Sequence, residues 1–266
     1  PGIGLVLSGG GARGFSHIGV LKVLKKNNIK IKAIAGSSMG SLIGAMYASG
    51  LSIEEMESIV LDLKFWDFFK VLDFSFSGKG FIKGEKGMKY IMSFIPARTF
   101  EELKIPLVVN AVDICSEKEI KFKSGKLNKA LSASTSFPGF IEPKKLNDIY
   151  LMDGGLKNPL ALGLLDEYDV DFSILVNVST GFGKKINKKD PNFIDIFKLS
   201  INLMQDELID LRLKLTEEDF VLVQPEVEKI SLWDFNEPEV LINKGEEAAN
   251  KKLNKIKEVF EFPEPG

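Results

Sequence analysis

Apolar and polar positions fall into distinct blocks along the first part of the chain. Ile3–Leu7 (IGLVL) is wholly apolar and stops at Ser8 and three glycines, the pattern of a strand buried on both faces of a parallel sheet. Phe15, Ile18, Leu21 and Leu24 then recur at helical spacing until Asn27-Asn28, and residues 31–35 start a second apolar run. A β-α-β unit is the expectation. Ser52 and Glu55 form an S-x-x-E capping box for a helix with Met56, Ile59, Val60 and Leu63 on one face. The later pattern predicts strands at 107–112, 119–123, 150–152, 172–178 and 220–223, with helices at about 193–213 and 238–260. Strands alternating with helices predict an α/β fold: a three-layer α/β/α sandwich around a mainly parallel sheet, with ligands at the carboxyl ends of the strands.

Composition narrows this picture. The 266 residues are 44% hydrophobic and include 20 Phe, enough material for a buried core, and they read as one large α/β domain over 1–266. Thirty-five basic and 37 acidic residues leave a net charge of -2, so no global field draws the chain to nucleic acid or an anionic membrane. Arg13, Arg98 and Arg212 are the only arginines, which argues against bidentate phosphate or base readout. Cys115 is the only cysteine, which excludes an intramolecular disulfide and a cysteine-based zinc cluster. Pro1 stands where an initiator methionine would, as in a trimmed chain, and no signal-peptide pattern follows it. Localisation is therefore weakly constrained, to the cytoplasm or the periphery of a membrane.

Two stretches need a choice between readings. Residues 33–53 carry no charge and have glycines at Gly36, Gly40 and Gly44, as a membrane helix with a dimer seam would. Five serines and four glycines in that run fit a buried strand followed by a buried helix better. Residues 181–190 (GFGKKINKKD) are glycine-bounded and lysine-rich, and read as a solvated connection ahead of a membrane-contacting patch.

The candidate chemistry lies in three glycine-rich strings. Gly9-Gly10-Gly11-Ala12-Arg13-Gly14 follows the first strand and can supply clustered backbone N–H donors for an oxyanion, because glycines place no Cβ in the way. Gly36-Ser37-Ser38-Met39-Gly40 follows the second strand and fits the G-x-S-x-G elbow, with Ser38 as nucleophile and Ser37 and Ser41 as decoys. The helix after Ser38 would direct its positive end toward the developing oxyanion. Asp153-Gly154-Gly155 follows the predicted strand at 150–152. Asp153 is the candidate base, and burial that raised its pKa would bring it nearer the operating pH.

These three ordered strings resemble the patatin-like phospholipase family, whose members carry G-G-G-x-R-G, then G-x-S-x-G, then D-G-G or D-G-A. The resemblance runs from Ile3 to about Gly155 and includes residues 130–143 (ALSASTSFPGFIEP), similar to the family's stretch ahead of its aspartate. It implies a serine acyl hydrolase with a Ser38-Asp153 dyad acting on carboxylic esters of lipids. The amides of Gly9, Gly10 and Gly11 would form the oxyanion hole, with Ala12, Arg13 and Gly14 supporting that loop. Gly36, Gly40, Gly154 and Gly155 would shape the elbow and turn. No metal and no cofactor is implied. The expected partner is a lipid or ester substrate, with transient contact to a membrane surface and no nucleic acid, and the oligomeric state is open. Acyl transfer to another acceptor and a lipid-binding regulatory protein with little turnover are the alternatives.

Competing readings of the same residues are weaker. Gly9, Gly11 and Gly14 satisfy G-x-G-x-x-G, yet no Asp or Glu precedes Glu54 to bind a ribose, and Phe15 stands where a P-loop needs lysine. His17, the only histidine, comes before the serine, the reverse of the α/β-hydrolase order, and reads as structural behind the glycine loop. Cys115 has no nucleophile signature around it. Residues 65–81 hold Phe65, Trp66, Phe68, Phe69, Phe74, Phe76 and Phe81 and read first as core. The second reading is a lid or acyl-channel lining hinged at residues 77–80.

Overall fold

The computed structural model describes residues 2–62, 73–75, 77–179 and 191–261. Much of the aromatic segment, including Trp66, and all of the lysine-rich stretch 181–190 lie outside them. The chain opens with β1 (Ile3–Leu7), a 3-10 turn (Gly11–Phe15), α1 (Ser16–Lys26), β2 (Ile31–Gly36), α2 (Met39–Ala48) and α3 (Ile53–Asp62). Next come α4 (Glu85–Phe94), β3 (Leu107–Asp113), β4 (Lys118–Phe122), α5 (Leu127–Ser134), β5 (Lys144–Leu146) and β6 (Ile149–Asp153). The last elements are β7 (Phe172–Val176), α6 (Phe193–Leu215), β8 (Phe220–Val223) and α7 (Pro238–Glu261).

The apolar blocks form the elements their patterns predict. The capping box at α3 is reciprocal: Glu55 N–H donates to Ser52 Oγ (3.1 Å) and Ser52 N–H to Glu55 Oε2 (2.7 Å). The uncharged run 33–53 divides into buried β2 and α2, and no helix among the described residues is long and apolar enough to cross a membrane. Three elements have no counterpart in the sequence reading: α4, α5 and β5. In α4 the spacing of Met88, Ile91 and Met92 is a helical signal, but it is short and Gly87 in the first turn weakens it. The eight residues of α5 are too few for a clear helical period.

The sheet has eight strands in the order β5-β6-β3-β2-β1-β7-β8, with β4 paired to β3. From β3 to β8 neighbouring strands are parallel, while β4, β6 and β5 pair antiparallel at one end, so the sheet is mixed rather than uniformly parallel. Both faces are buried, which explains why the central strands are mostly apolar. Leu5, Leu7, Ile34, Ile174 and Val176 point into a core shared with α1, α2 and α7, whereas Val6, Ala35 and Leu175 face residues 160–165 and Ile209 of α6.

One detail of this topology positions the site. Val109 pairs with both Gly36 of β2 and Phe122 of β4, and Ala111 with both Asp153 of β6 and Ile120 of β4. Since β4 takes one edge of β3, β2 and β6 must share the other. They run toward each other along it, and their carboxyl ends meet two residues apart on β3.

Candidate active site

Ser38 sits where β2 turns into α2. Its backbone is at φ 50°, ψ -122°, outside the comfortable regions for a residue with a Cβ. Such a conformation costs about 1–3 kcal/mol and persists because the surroundings enforce it. A Cβ on Gly36 would come within 2.7 Å of Gly40 O and Ser41 N, and one on Gly40 would strike the carbonyls of Leu7 and Ser8. The small residues of the elbow are thus demanded by packing. Ser38 N–H donates to Ser134 Oγ (2.9 Å) and Ser38 O accepts from Ser41 Oγ (2.6 Å), which holds the strained residue on both sides. Ser41 therefore supports the turn.

The Ser38 hydroxyl donates to Asp153 Oδ2 at 2.7 Å, across 115 positions of sequence. The other oxygen, Oδ1, accepts from Gly155 N–H at 2.8 Å. Asp153 N–H donates to Ser136 O (3.1 Å). Asp153 is 2% exposed, and burial pushes its carboxyl up to about 6 against the opposing pull of the Ser38 and Gly155 hydrogen bonds. Gly154 packs against Asn110, whose side chain a Cβ at 154 would strike.

The glycine loop lies beside the elbow, and a Cβ on Gly9 would come within 3.2 Å of Ser38 Cβ. Its amides are not equivalent. Gly9 N–H donates to Pro159 O (2.9 Å), Ala12 N–H to Leu232 O (2.8 Å) and Arg13 N–H to Gly10 O (3.1 Å). Gly10 (φ 155°) and Gly11 (φ 53°) donate to no acceptor among the described residues. Arg13 is buried, with Nε donating to Ile230 O (2.6 Å) and Nη2 to Glu228 O (3.0 Å), so it ties the loop to the segment that carries Leu232. Burial lowers its guanidinium to about 10, and it stays charged at neutral pH.

His17 is fully buried under the same loop, and its Nε2–H donates to Ser8 O at 2.9 Å. Burial pushes it down to about 4, so the ring is neutral at physiological pH. The Ser38 hydroxyl bonds to Asp153, and His17 props the backbone behind the glycines. Cys115 lies in the exposed turn after β3.

Ser38, Asp153, Gly9, Gly10 and Gly11 line one cavity of about 270 Å³. Its lining is mainly apolar, with Leu42, Met46, Val60, Met88 and Ile91 and the aromatic Phe137, Trp233 and Phe235. Sequence reasoning missed most of these walls, together with Ser134 and the 228–232 carbonyls. Ser134 and Phe137 fall in the 130–143 stretch, the one available signal. Of the aromatic segment, Phe74 (65% exposed) and Phe81 (59%) are described, and neither is core. That corrects the core reading at these two positions; Phe65, Trp66, Phe68, Phe69 and Phe76 lie outside the described residues.

The patatin-like phospholipase profile matches residues 5–166, which takes in all three glycine strings. This chain belongs to the patatin-like phospholipase family. An uncharacterized NTE family protein of Mycobacterium tuberculosis is 32% identical over 192 residues, covering 72% of this chain and 53% of that protein. A lysophospholipase of Debaryomyces hansenii is 24% identical over 285 residues, covering 98% of this chain and 18% of its own. This patatin-like chain spans about half the length of the mycobacterial relatives it matches. VipD of Legionella pneumophila shares the fold, with a TM-score of 0.59 at 13% identity over 96% of this chain and 66% of that one.

Proposed function

We propose that this protein is a serine acyl hydrolase that cleaves carboxylic esters of lipids through a Ser38-Asp153 dyad. The observation that carries this reading is the 2.7 Å hydrogen bond from Ser38 Oγ to Asp153 Oδ2 at the wall of an apolar cavity. Ser38 Oγ attacks the ester carbonyl carbon while Asp153 accepts the hydroxyl proton. The carbonyl oxygen becomes an oxyanion held by the amides of Gly10 and Gly11, which have no acceptor among the described residues, with the amino end of α2 adding positive potential. The tetrahedral intermediate collapses, the C–O bond breaks, and Asp153 returns the proton to the leaving alcohol. Water, deprotonated by Asp153, then attacks the acyl-enzyme and releases the acid and Ser38.

Lipids with one acyl chain are the substrates we propose. The cavity beside Ser38 is lined mainly by apolar side chains, as an acyl chain requires. The name of the Debaryomyces relative points to the same class. The substrate is met at a lipid surface, because aromatic rings continue from the cavity to solvent. Trp233 of the cavity packs on Phe140 (4.9 Å), Phe140 on exposed Phe81 (6.1 Å), and Phe197 of α6 stacks on Phe193, which is 80% exposed. A fluorophosphonate probe should label the parent protein at Ser38 and leave Ser38→Ala unlabelled, with ester hydrolysis lost in parallel. A parent that neither labels nor hydrolyses a lysophospholipid or a short ester would leave a lipid-binding role without turnover.

A further inference from the structure

Two buried hydroxyls converge on a single carbonyl oxygen beneath the glycine loop. Gly9 O accepts from Ser179 Oγ at 2.6 Å and from Ser8 Oγ at 2.9 Å. Neither serine is free to turn away. Ser8 Oγ accepts from Val178 N–H (2.9 Å), Ser179 N–H donates to Asn177 Oδ1 (3.0 Å), and both residues are at most 1% exposed. The backbone around them is equally committed: Ser8 N–H donates to Val176 O (3.0 Å), Ser8 O accepts from His17, and Gly9 N–H donates to Pro159 O.

The carbonyl of Gly9 and the amide of Gly10 belong to one planar peptide, and in a trans peptide they point in opposite directions. Fixing the oxygen therefore fixes the hydrogen. A peptide between two glycines turns over at little steric cost, so the backbone alone would not hold this orientation. Ser8 and Ser179, the latter also a residue of the cavity lining, supply what the glycines lack, and they leave the Gly10 N–H without an acceptor among the described residues, beside the cavity that holds Ser38. They also polarise the amide, which strengthens the hydrogen bond its N–H can give.

We infer that Ser179 is a positioning residue for the reaction: with Ser8 it locks the Gly9-Gly10 peptide so that the Gly10 amide faces the oxyanion formed on Ser38 attack. This role rests on the hydrolase reading above. It places a working residue just beyond β7, outside the three glycine strings, where nothing in the local sequence marks it.

The test compares the parent, Ser179→Ala, Ser179→Thr and Ser8→Ala on a soluble p-nitrophenyl ester, with thermal unfolding measured in parallel. Loss of one oxyanion donor costs about 10²- to 10³-fold, so loosening one predicts a kcat for Ser179→Ala lower by about ten- to a hundredfold. KM should stay within about twofold, since the contact is made only in the transition state. The acidic limb of the pH profile should not move, because Asp153 is untouched, and Ser179→Thr, which keeps the hydroxyl, should recover most of the rate. Ser8→Ala should lower kcat in the same manner. A folded Ser179→Ala with parental kcat overturns the inference, as does a folded Ser179→Thr as impaired as the alanine variant. If Ser179→Ala unfolds, the Thr variant decides by the same criterion. An inactive parent without Ser38 labelling overturns the hydrolase reading and this role with it, whereas an active parent beside an equally active alanine variant overturns this role alone.

Discussion

Where α1 crosses α7, Gly19 and Gly245 bring backbone against backbone: a Cβ on Gly19 would strike Ile242 O, and one on Gly245 would strike Ser16 O. At the carboxyl ends of β1 and β2, Gly36 and Gly40 allow a similarly close approach, but the surroundings differ. Gly10 and Gly11 there leave amides without acceptors among the described residues, Ser38 is held at positive φ, and a carboxyl group is buried at 2% exposure. The helix crossing is packing that lowers the free energy of the folded chain. The strand ends keep strain, unmatched donors and a buried carboxyl group, features that the proposed reaction would use. The same residue type thus closes a helix crossing in one place and, under the proposed function, shapes a reacting site in the other, and only its neighbours tell which.

Substitutions at the two places should separate cleanly. The largest effect is expected from Ser38→Ala, which should lower kcat by at least about 10⁴-fold while unfolding at nearly the parental temperature. Asp153→Asn comes next, with a loss of about 10³- to 10⁴-fold. It should also stabilise the protein at pH 7, by on the order of 2 kcal/mol, because it removes a buried carboxylate. A stable, fully active Asp153→Asn protein would dismantle the contrast.

Glycine replacements sharpen it. Gly11→Ala, at φ 53° and facing Leu232 O, should cut kcat by about 10²- to 10³-fold. Gly19→Ala should instead lower unfolding free energy by about 3 kcal/mol while the folded fraction keeps its turnover number. Denaturant titration and kcat on the same samples would show whether the two losses are exchanged.

Acid gives a further distinction. Asp153 lies near 6 against an ordinary 3.8, so between these pH values the folded protein holds a proton the unfolded chain has released, and rising pH removes stability. His17 lies near 4 against 6.5, so across that window the unfolded chain binds a proton the folded protein refuses, and rising pH adds stability. In the parent the two slopes oppose each other. In Asp153→Asn only the histidine slope remains, and stability should fall steadily as pH drops from about 6.5 toward 4. Parental kcat/KM should fall below about pH 6, since only the carboxylate accepts a proton. That limb falls where an ordinary histidine would titrate, and retention of it in His17→Asn would assign it to Asp153.

The smallest effect belongs to the rim. Phe193→Ser and Phe81→Ser should each lower activity on micellar lysophospholipid by up to about tenfold, the equivalent of roughly 1.4 kcal/mol of lost apolar burial. Hydrolysis of a soluble short ester should be unchanged. Equal losses on both substrates would mean the rim shapes the pocket and does not meet the lipid surface.

Much of this molecule could be read from near neighbours along the chain. An apolar run of five residues declares a doubly buried strand, Ser52 and Glu55 declare a helix start, and three glycine strings declare backbone brought unusually close to something. These depend on interactions within a few residues, which survive in a linear reading. Which contacts the folded chain would form between distant segments was not legible: that β6 returns antiparallel along the edge of β3 that β2 vacates, that residues 228–232 receive Arg13, or that Ser179 reaches Gly9 O. Nor could composition say how deeply Asp153 is desolvated, and hence how basic it becomes. Hydrogen-bond geometry and burial arise from groups separated by up to more than a hundred residues, and the folded arrangement of the sheet alone brings them within reach.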